Sequence, residues 1–170
     1  MSLKVAVGDQ IPSVGLRASD GYLLNLRSWV TKQPAVILFF GAATLEGVAR
    51  RRGTRAALAL ADEYERLREA GIVVAGVSCD SAEQQAEYLR ETKLPYLLMS
   101  DERRTAVEML GILTVADGEN VNIAQPVAIA VDRDGEIRAI ITELNPSTVV
   151  ELLMSALAEP MPLAETLPGP

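Results

Sequence analysis

The sequence contains no histidine and a single cysteine, Cys79, in 170 residues. Without histidine there is no ordinary general base near neutral pH, no imidazole metal ligand and no Ser–His or Cys–His nucleophile pair. One cysteine cannot form a disulfide within the chain or a thiolate metal cluster, and a lone thiol agrees with a reducing compartment. We therefore expect no metal site and no bound cofactor, and any thiol chemistry must centre on Cys79.

The chain also has no excess of basic residues and no long apolar run. Asp and Glu outnumber Lys and Arg by 23 to 16, which gives a net charge of −7 and opposes binding to a phosphate backbone. No window reaches the roughly 18 to 20 apolar residues of a membrane-spanning helix, and residues 1–9 lack the pattern of a signal peptide. We expect no nucleic-acid partner, no membrane insertion and a cytoplasmic location.

The composition that remains is that of one globular domain. Hydrophobic residues make up 49% and charged residues 23% of the chain, and this length is usual for a single domain with a sizeable core. From Glu159 onwards, four prolines in twelve residues interrupt any regular element. We predict one domain over residues 1–158 and a flexible Pro-rich tail over residues 159–170.

The first half of the chain carries the pattern of a βαβ unit. Residues 34–40, PAVILFF, are a continuous apolar run typical of a strand buried on both faces. Apolar residues at three- and four-residue spacing over 57–67 predict an amphipathic helix that ends at Gly71. Residues 72–78, IVVAGVS, predict a second buried strand. A helix between two parallel strands forms a right-handed crossover.

The second half alternates further strands and helices. Ser81 and Gln84 form a capping box, which predicts that a helix begins there. The same patterns predict a strand at 96–99, a helix at 102–110, two strands at 127–132 and 136–142, and a last helix capped by Asn145. The two late strands flank a short glycine-containing loop, as in an antiparallel hairpin. This order predicts an α/β, thioredoxin-like fold: a central mixed sheet with helices on both faces and an N-terminal extension.

Several segments resemble peroxiredoxins. They are VGDQIP at 7–12, DGYLLNL at 20–26, PAVILFF at 34–40, ADEYERLREAGIVVAGVSCDS at 61–81, LPYLLMSD at 94–101 and VAIAVDRDGEI at 127–137. The resemblance is nearest to the bacterioferritin-comigratory group of the alkyl hydroperoxide reductase and thiol-specific antioxidant family. It implies thiol-dependent peroxide reduction, an antioxidant oxidoreductase activity in which a helix-terminal thiolate becomes a sulfenic acid. It also implies a homodimer and, if the protein is active, an external thiol or thioredoxin-type reductant.

The catalytic cysteine implied by this resemblance has no counterpart in the chain. The family's Pro-x-x-x-Thr-x-x-Cys motif follows the strand that matches PAVILFF. Counting back from the second strand places the catalytic position at Gly53, whereas counting forward from Phe40 places it near Val48 or Ala49. None of these residues is cysteine, and residues 41–78 contain none.

The groups that accompany the family's cysteine are missing too. The motif's proline is absent, and Thr44 lies near the threonine position only in the forward count. The family's distant arginine falls on residues 122–126, which contain no arginine. Because such groups act as a unit, we expect a degenerate, non-catalytic member that serves as a binding or oligomeric scaffold. Four extra residues in this region also predict an extended or remodelled loop over residues 41–53.

The alternative is a one-cysteine thiol peroxidase or redox sensor that uses Cys79. This residue ends the second predicted strand, two residues before the helix cap at Ser81, at the edge where such sheets bind ligands. The position favours a mildly lowered thiol pKa. The opposing interpretation, which we prefer, is that Cys79 is a packing residue, since cysteine is among the most buried residue types.

Two further groups of polar residues are candidates for a site. The dense basic cluster of the chain consists of Arg50, Arg51, Arg52 and Arg55. It could bind an anionic ligand, although charge runs usually form a solvated face. Asp80, Ser81 and Asp101 form a second polar group, but capping and turn roles explain Ser81 and Asp101 more simply.

Overall fold

The structure, a computed structural model, describes residues 3–41, 48–117 and 120–158. Its strands are β1 (Gly15–Ala18), β2 (Leu23–Asn25), β3 (Ala35–Phe39), β4 (Val73–Ser78), β5 (Leu97–Ser100), β6 (Thr114–Asp117), β7 (Asn120–Ala124), β8 (Val127–Val131) and β9 (Ile137–Ile141). Its helices are α1 (Leu26–Trp29), α2 (Val48–Asp62), α3 (Tyr64–Glu69), α4 (Ala82–Thr92), α5 (Thr105–Leu110) and α6 (Val149–Leu157).

Seven of the strands form one mixed sheet in the order β2-β1-β5-β4-β3-β8-β9. The central strands β3, β4 and β5 are parallel, whereas β8 pairs antiparallel with β3 on one side and β1 pairs antiparallel with β5 on the other. The predicted hairpin is β8 and β9, and its turn glycine, Gly135, has a φ of 84° that favours glycine. The thioredoxin-like mixed sheet is therefore confirmed.

The core lies on both faces of this sheet. Alternate residues of β3 point to opposite sides, and every one of them is buried. Ile37 and Phe39 belong to the cluster that α1 and α5 complete, while Val36 and Leu38 belong to the cluster that α2, α3, α4 and α6 complete. Helices thus cover both faces, as predicted. None of the described helices is both long and apolar enough to cross a membrane.

The helix after β3 differs from the prediction. Instead of one helix that starts near Ala57, α2 already begins at Val48, and a break at Glu63 separates it from α3. The predicted loop over residues 41–53 was therefore too long, because residues 48–53 are helical. The early turns have no apolar periodicity, but alanine and arginine are good helix formers. Residues 42–47, which complete the predicted loop, lie outside the described part of the chain.

The end of the domain is also slightly different. The α6 helix begins at Val149 rather than directly after Asn145. The Asn145 side chain accepts a hydrogen bond from the Ser147 backbone N–H at 2.9 Å, so Asn145 shapes a turn before the helix instead of capping it. The predicted tail, residues 159–170, lies outside the described residues.

Candidate functional site

The start of α2 is where the resemblance places the family's catalytic position. Val48 is the first residue of this 15-residue helix, whereas Gly53 lies in its second turn. Only the forward count therefore reaches a helix N-terminus, where free backbone N–H groups stabilise an anion. Thr44, the residue near the family's threonine, falls outside the described residues.

Gly53 occupies a close contact between α2 and the end of β3. A β-carbon built on Gly53 would lie 2.9 Å from the β-carbon of Phe40 and 3.4 Å from a ring carbon. A side chain of any kind at this position requires Phe40 or the helix to move. The backward count thus leads to a packing position with no room for a thiol.

Two buried tyrosines fix the same helix from the other side. The Tyr88 hydroxyl lies 3.0 Å from the Thr54 hydroxyl, and the Tyr96 hydroxyl donates a hydrogen bond to the Ala57 carbonyl at 2.5 Å. Both tyrosine side chains are almost fully buried. From its second turn onwards, α2 is therefore attached to α4 and to the segment before β5 by buried polar contacts as well as by apolar packing.

Cys79 lies directly after β4, not on α2. Its side chain is partly buried against the core cluster that α5 completes. The pKa of this thiol is raised to about 12, first by burial and then by the Asp101 and Asp80 carboxylates, while the Arg104 guanidinium opposes the rise. The expected mild lowering of the pKa was wrong, because removal from water disfavours the thiolate more than any nearby donor favours it.

Asp101 is a capping residue, as predicted. It is buried, and its carboxylate accepts hydrogen bonds from the backbone N–H groups of Ala106 at 3.1 Å and Val107 at 2.9 Å. Burial raises the pKa of Asp101, while these backbone hydrogen bonds act in the opposite direction. The carboxylate satisfies the first turn of α5 and holds the turn beside Cys79 in place.

Ser81 also has the predicted role. Its hydroxyl accepts from the Gln84 N–H at 3.2 Å, and the Gln84 side chain accepts from the Ser81 N–H at 2.9 Å. This is the capping box at the start of α4. The third polar residue, Asp80, accepts a hydrogen bond at its backbone carbonyl from the Ser100 hydroxyl at 2.7 Å. These three contacts are structural.

A buried polar link beside Cys79 was not anticipated. The Gln85 side-chain amide donates to the Ser78 hydroxyl at 2.8 Å and to the Met99 carbonyl at 2.9 Å, and Gln85 and Ser78 are both buried. It joins α4 to the ends of β4 and β5. The available signal was the position of Gln85, four residues after the cap at Ser81 and three before the apolar Tyr88, on the face that packs on the sheet.

Comparison with known proteins identifies the family. Residues 7–140 match the model of the AhpC/TSA family. The chain belongs to the AhpC/TSA family. It is 25% identical over 140 residues to a putative peroxiredoxin bcp of Coxiella burnetii, covering 81% of this chain and 89% of the relative. It is 35% identical over 99 residues to a putative chloroplastic peroxiredoxin Q of Oryza sativa subsp. indica, covering 58% of this chain and only 43% of the relative. The resemblance to the bacterioferritin-comigratory type is confirmed.

Solved structures support the same fold. The peroxidoxin BcpB of Mycobacterium tuberculosis has a TM-score of 0.74 at 20% identity, over 88% of this chain and 94% of that one. The bacterioferritin comigratory protein of Xanthomonas campestris has a TM-score of 0.72 at 16% identity, over 92% and 96% of the two chains. These similarities show that this AhpC/TSA family member has the thioredoxin-like architecture of peroxiredoxins.

The remaining predicted site residues of this AhpC/TSA family member can be placed only in part. Arg55 is exposed on α2. The side chains of Arg50, Arg51 and Arg52 are outside the described set, so the anion-binding cluster remains a prediction. Residues 122–126, at the position of the family's arginine, span the end of β7 and the connection to β8. Among the described residues, no group of three or more His, Cys, Asp and Glu side chains is arranged to hold a metal ion.

Proposed function

We propose that this protein is a non-catalytic member of the AhpC/TSA family, which keeps the family fold as a binding or oligomeric scaffold. The observation that carries the proposal is the position of its only thiol. Cys79 follows β4, whereas α2 begins with Val48. A peroxidatic cysteine reacts as a thiolate of low pKa, and burial instead raises the pKa of Cys79 to about 12.

The surroundings of the α2 start support the same proposal. The resemblance implies that a threonine and an arginine assist the peroxidatic thiolate, and residues 122–126 provide no arginine. Each missing donor of this kind costs on the order of a hundredfold in rate. A thiol displaced to the end of β4 also lacks the geometric alignment that a reacting peroxide requires.

The alternative function is a one-cysteine thiol peroxidase or a redox sensor at Cys79. The partial exposure of this side chain and the nearby Arg104 guanidinium, which opposes the rise in its pKa, favour the alternative. Such an enzyme would need an external thiol or a thioredoxin-type reductant, because the chain has no second cysteine to resolve a sulfenic acid.

Peroxide consumption distinguishes the two functions. The purified protein is mixed with hydrogen peroxide and either dithiothreitol or a thioredoxin system, beside a Cys79→Ser variant. We expect consumption no faster than the protein-free background, and the same rate for both proteins. Steady peroxide turnover that disappears in Cys79→Ser would show that the protein is a peroxidase and would contradict the scaffold proposal. Rapid trapping of a Cys79 sulfenic acid by dimedone at pH 7, without turnover, would favour the sensor.

A scaffold function also requires a binding partner. We propose a homodimer as the first partner, by likeness to the family, and a cytoplasmic location, because a chain with one unpaired cysteine suits a reducing compartment. Sedimentation velocity over a protein concentration series tests the association. A monomer at every concentration would contradict the oligomeric form of the proposal and leave only a scaffold for other molecules.

A further inference from the structure

A groove of about 380 Å³ lies where β1 and β2 meet the start of α4 and the turn before α5. This volume falls within the range of small-molecule sites, about 300 to 1,000 Å³. Its lining includes Arg17, Leu23, Ala82, Ser100, Arg103 and Thr105. The groove opens at the ends of β4 and β5, at the edge where parallel strands of α/β proteins present their ligands. Asp101, which was considered as a site candidate from the sequence, lines this groove as a capping residue, and the family match assigns the groove no ligand.

Strand register places three of these residues in one row. Arg17 of β1 pairs with Leu23 of β2 on one side and with Ser100 of β5 on the other. Directly paired residues share a face of the sheet, so the three side chains are neighbours on the groove side. The Ser100 hydroxyl gives its hydrogen to the Asp80 carbonyl, and its oxygen remains an acceptor. In this row the Arg17 guanidinium therefore lies between the apolar Leu23 side chain and the polar Ser100 side chain.

The two arginines of the groove have most of their hydrogen-bonding capacity free. Arg17 donates one long hydrogen bond, 3.3 Å, to the Gly21 carbonyl, and Arg103 has no hydrogen-bond or ion-pair partner among the residues that the structure describes. Each guanidinium carries five N–H donors. Both side chains are exposed, so their remaining donors are available to a ligand in the groove.

The acidic residues of the groove only partly balance this charge. The Asp101 carboxylate is buried and is held by two backbone N–H groups of α5. Glu102 is exposed and is the other carboxylate in the described lining. Two exposed cations thus face one exposed anion, in a chain whose net charge is −7. Among the exposed groups of the described lining the charge balance is therefore positive, which favours an anionic ligand.

We propose that this groove binds a small organic anion. Its carboxylate or phosphate contacts Arg17 and Arg103, since the planar guanidinium matches both groups in a two-pronged hydrogen bond. An apolar portion of the ligand packs on Leu23, whose side chain is 69% exposed. Cys79 is not among the described residues that line the groove, and none of those residues belongs to α2, so the proposal does not depend on peroxide chemistry.

Amide chemical shifts of the full chain test the proposal with three probes: hexanoate, the neutral hexanamide and inorganic phosphate. We expect hexanoate to cause saturable shifts at the amides of Arg17, Ser100 and Arg103 in the millimolar range. Hexanamide should bind at least about tenfold more weakly, because the charge-assisted hydrogen bonds are lost. Equal affinity for hexanoate and hexanamide, or no saturable shift at these amides, would overturn the proposal. If inorganic phosphate binds as strongly as hexanoate, the part of the proposal in which Leu23 contributes to ligand affinity is wrong.

Matched charge variants locate the site. Arg17→Gln and Arg103→Gln should each weaken hexanoate binding about tenfold. Arg90→Gln removes the same charge from the exposed end of α4, away from the lining, and should leave the affinity unchanged. A loss in Arg90→Gln equal to that of the groove variants would show that only the overall charge matters. The comparison of probes uses the unaltered protein, so it decides the proposal even if a variant fails to fold.

Discussion

Gly53 of α2 lies directly against Phe40, the residue that follows β3. A β-carbon at Gly53 would approach the Phe40 β-carbon to 2.9 Å, a distance that real β-carbons essentially never show. The contact brings the helix closer to the sheet than any other residue type would allow. It also explains why a glycine occupies the second turn of a helix, where it costs about 1 kcal/mol relative to alanine.

Gly53→Ala should therefore destabilise the protein despite its better helix propensity. Overpacking of a tight core contact costs about 1 to 3 kcal/mol. Because the atom contacted is the Phe40 β-carbon, which cannot rotate away, we expect this cost to exceed the gain of about 1 kcal/mol from propensity. Urea unfolding gives the comparison, with Gly15→Ala as the control, since a β-carbon on Gly15 would meet nothing within 4 Å. If Gly53→Ala unfolds at a clearly higher urea concentration than the original protein, α2 can move away from Phe40 at little cost and the prediction is wrong.

The central sheet could be predicted from the sequence because its strands are almost unbroken runs of apolar residues. PAVILFF and IVVAGVS became β3 and β4, with ends that differ by at most one residue. The strands β1, β2, β6 and β7 are each three to five residues long and contain polar residues. β1 pairs with β2 and β6 pairs with β7, each with its neighbour in the chain, and β1 also pairs with the distant β5. Such short stretches of mixed polarity show neither a clear alternation nor a strong strand propensity, so the local pattern did not reveal them.

The candidate site was less predictable than the fold. The capping roles of Ser81 and Asp101 follow from contacts within a few residues, and both are observed. The pKa of Cys79 depends instead on burial by α5 and on charges of a different segment. Position at a strand end, which suggested a lowered pKa, does not reveal how much water the folded chain removes.

The buried link between Gln85 and Ser78 should contribute to stability. Gln85→Ala would leave the Ser78 hydroxyl and the Met99 carbonyl without this donor, and an unsatisfied buried polar group costs about 1 to 3 kcal/mol. Glu87→Ala, at an exposed position of the same helix, is the matched control and should change little. A double-mutant cycle with Ser78→Ala measures the coupling. A coupling near zero would contradict the link.

The Cys79 thiol should react slowly at neutral pH. Because burial raises its pKa to about 12, the thiolate fraction at pH 7 is very small, and iodoacetamide labelling should rise steadily up to at least pH 10. An inflection below the ordinary thiol value of about 8.5 would contradict the structure and revive the sensor function. Urea-unfolded protein, in which the thiol is solvated, provides the fast reference.

The same pKa has a consequence for stability. The folded pKa of Cys79 lies above the ordinary value, so the folded state holds the proton more tightly than the unfolded state. This contribution is complete below about pH 8.5 and is lost as the pH rises towards 12. The original protein should therefore lose more stability than Cys79→Ser between pH 8.5 and 11. Parallel losses in the two proteins would show that Cys79 titrates normally when folded.

A cysteine placed at the start of α2 should be more reactive than the native one. In a Cys79→Ser background, Val48→Cys puts a thiol at the first residue of the helix, where the backbone N–H groups and the helix dipole favour the thiolate. Leu58→Cys, at an exposed position in a later turn of the same helix, is the matched control. An advantage of about 0.3 to 1 kcal/mol for the anion predicts labelling a few-fold faster for Val48→Cys at pH 7.

Peroxide turnover by Val48→Cys should nevertheless remain slow, because residues 122–126 supply no arginine and one missing donor costs on the order of a hundredfold. The measurement is hydrogen peroxide consumption with dithiothreitol, beside the Leu58→Cys control. If Val48→Cys is labelled no faster than Leu58→Cys, the start of α2 does not stabilise an anion and the forward count loses its physical basis. If it instead turns over peroxide rapidly, the chain retains the rest of a peroxidase site, and only the residue at the start of α2 distinguishes it from an active peroxidase.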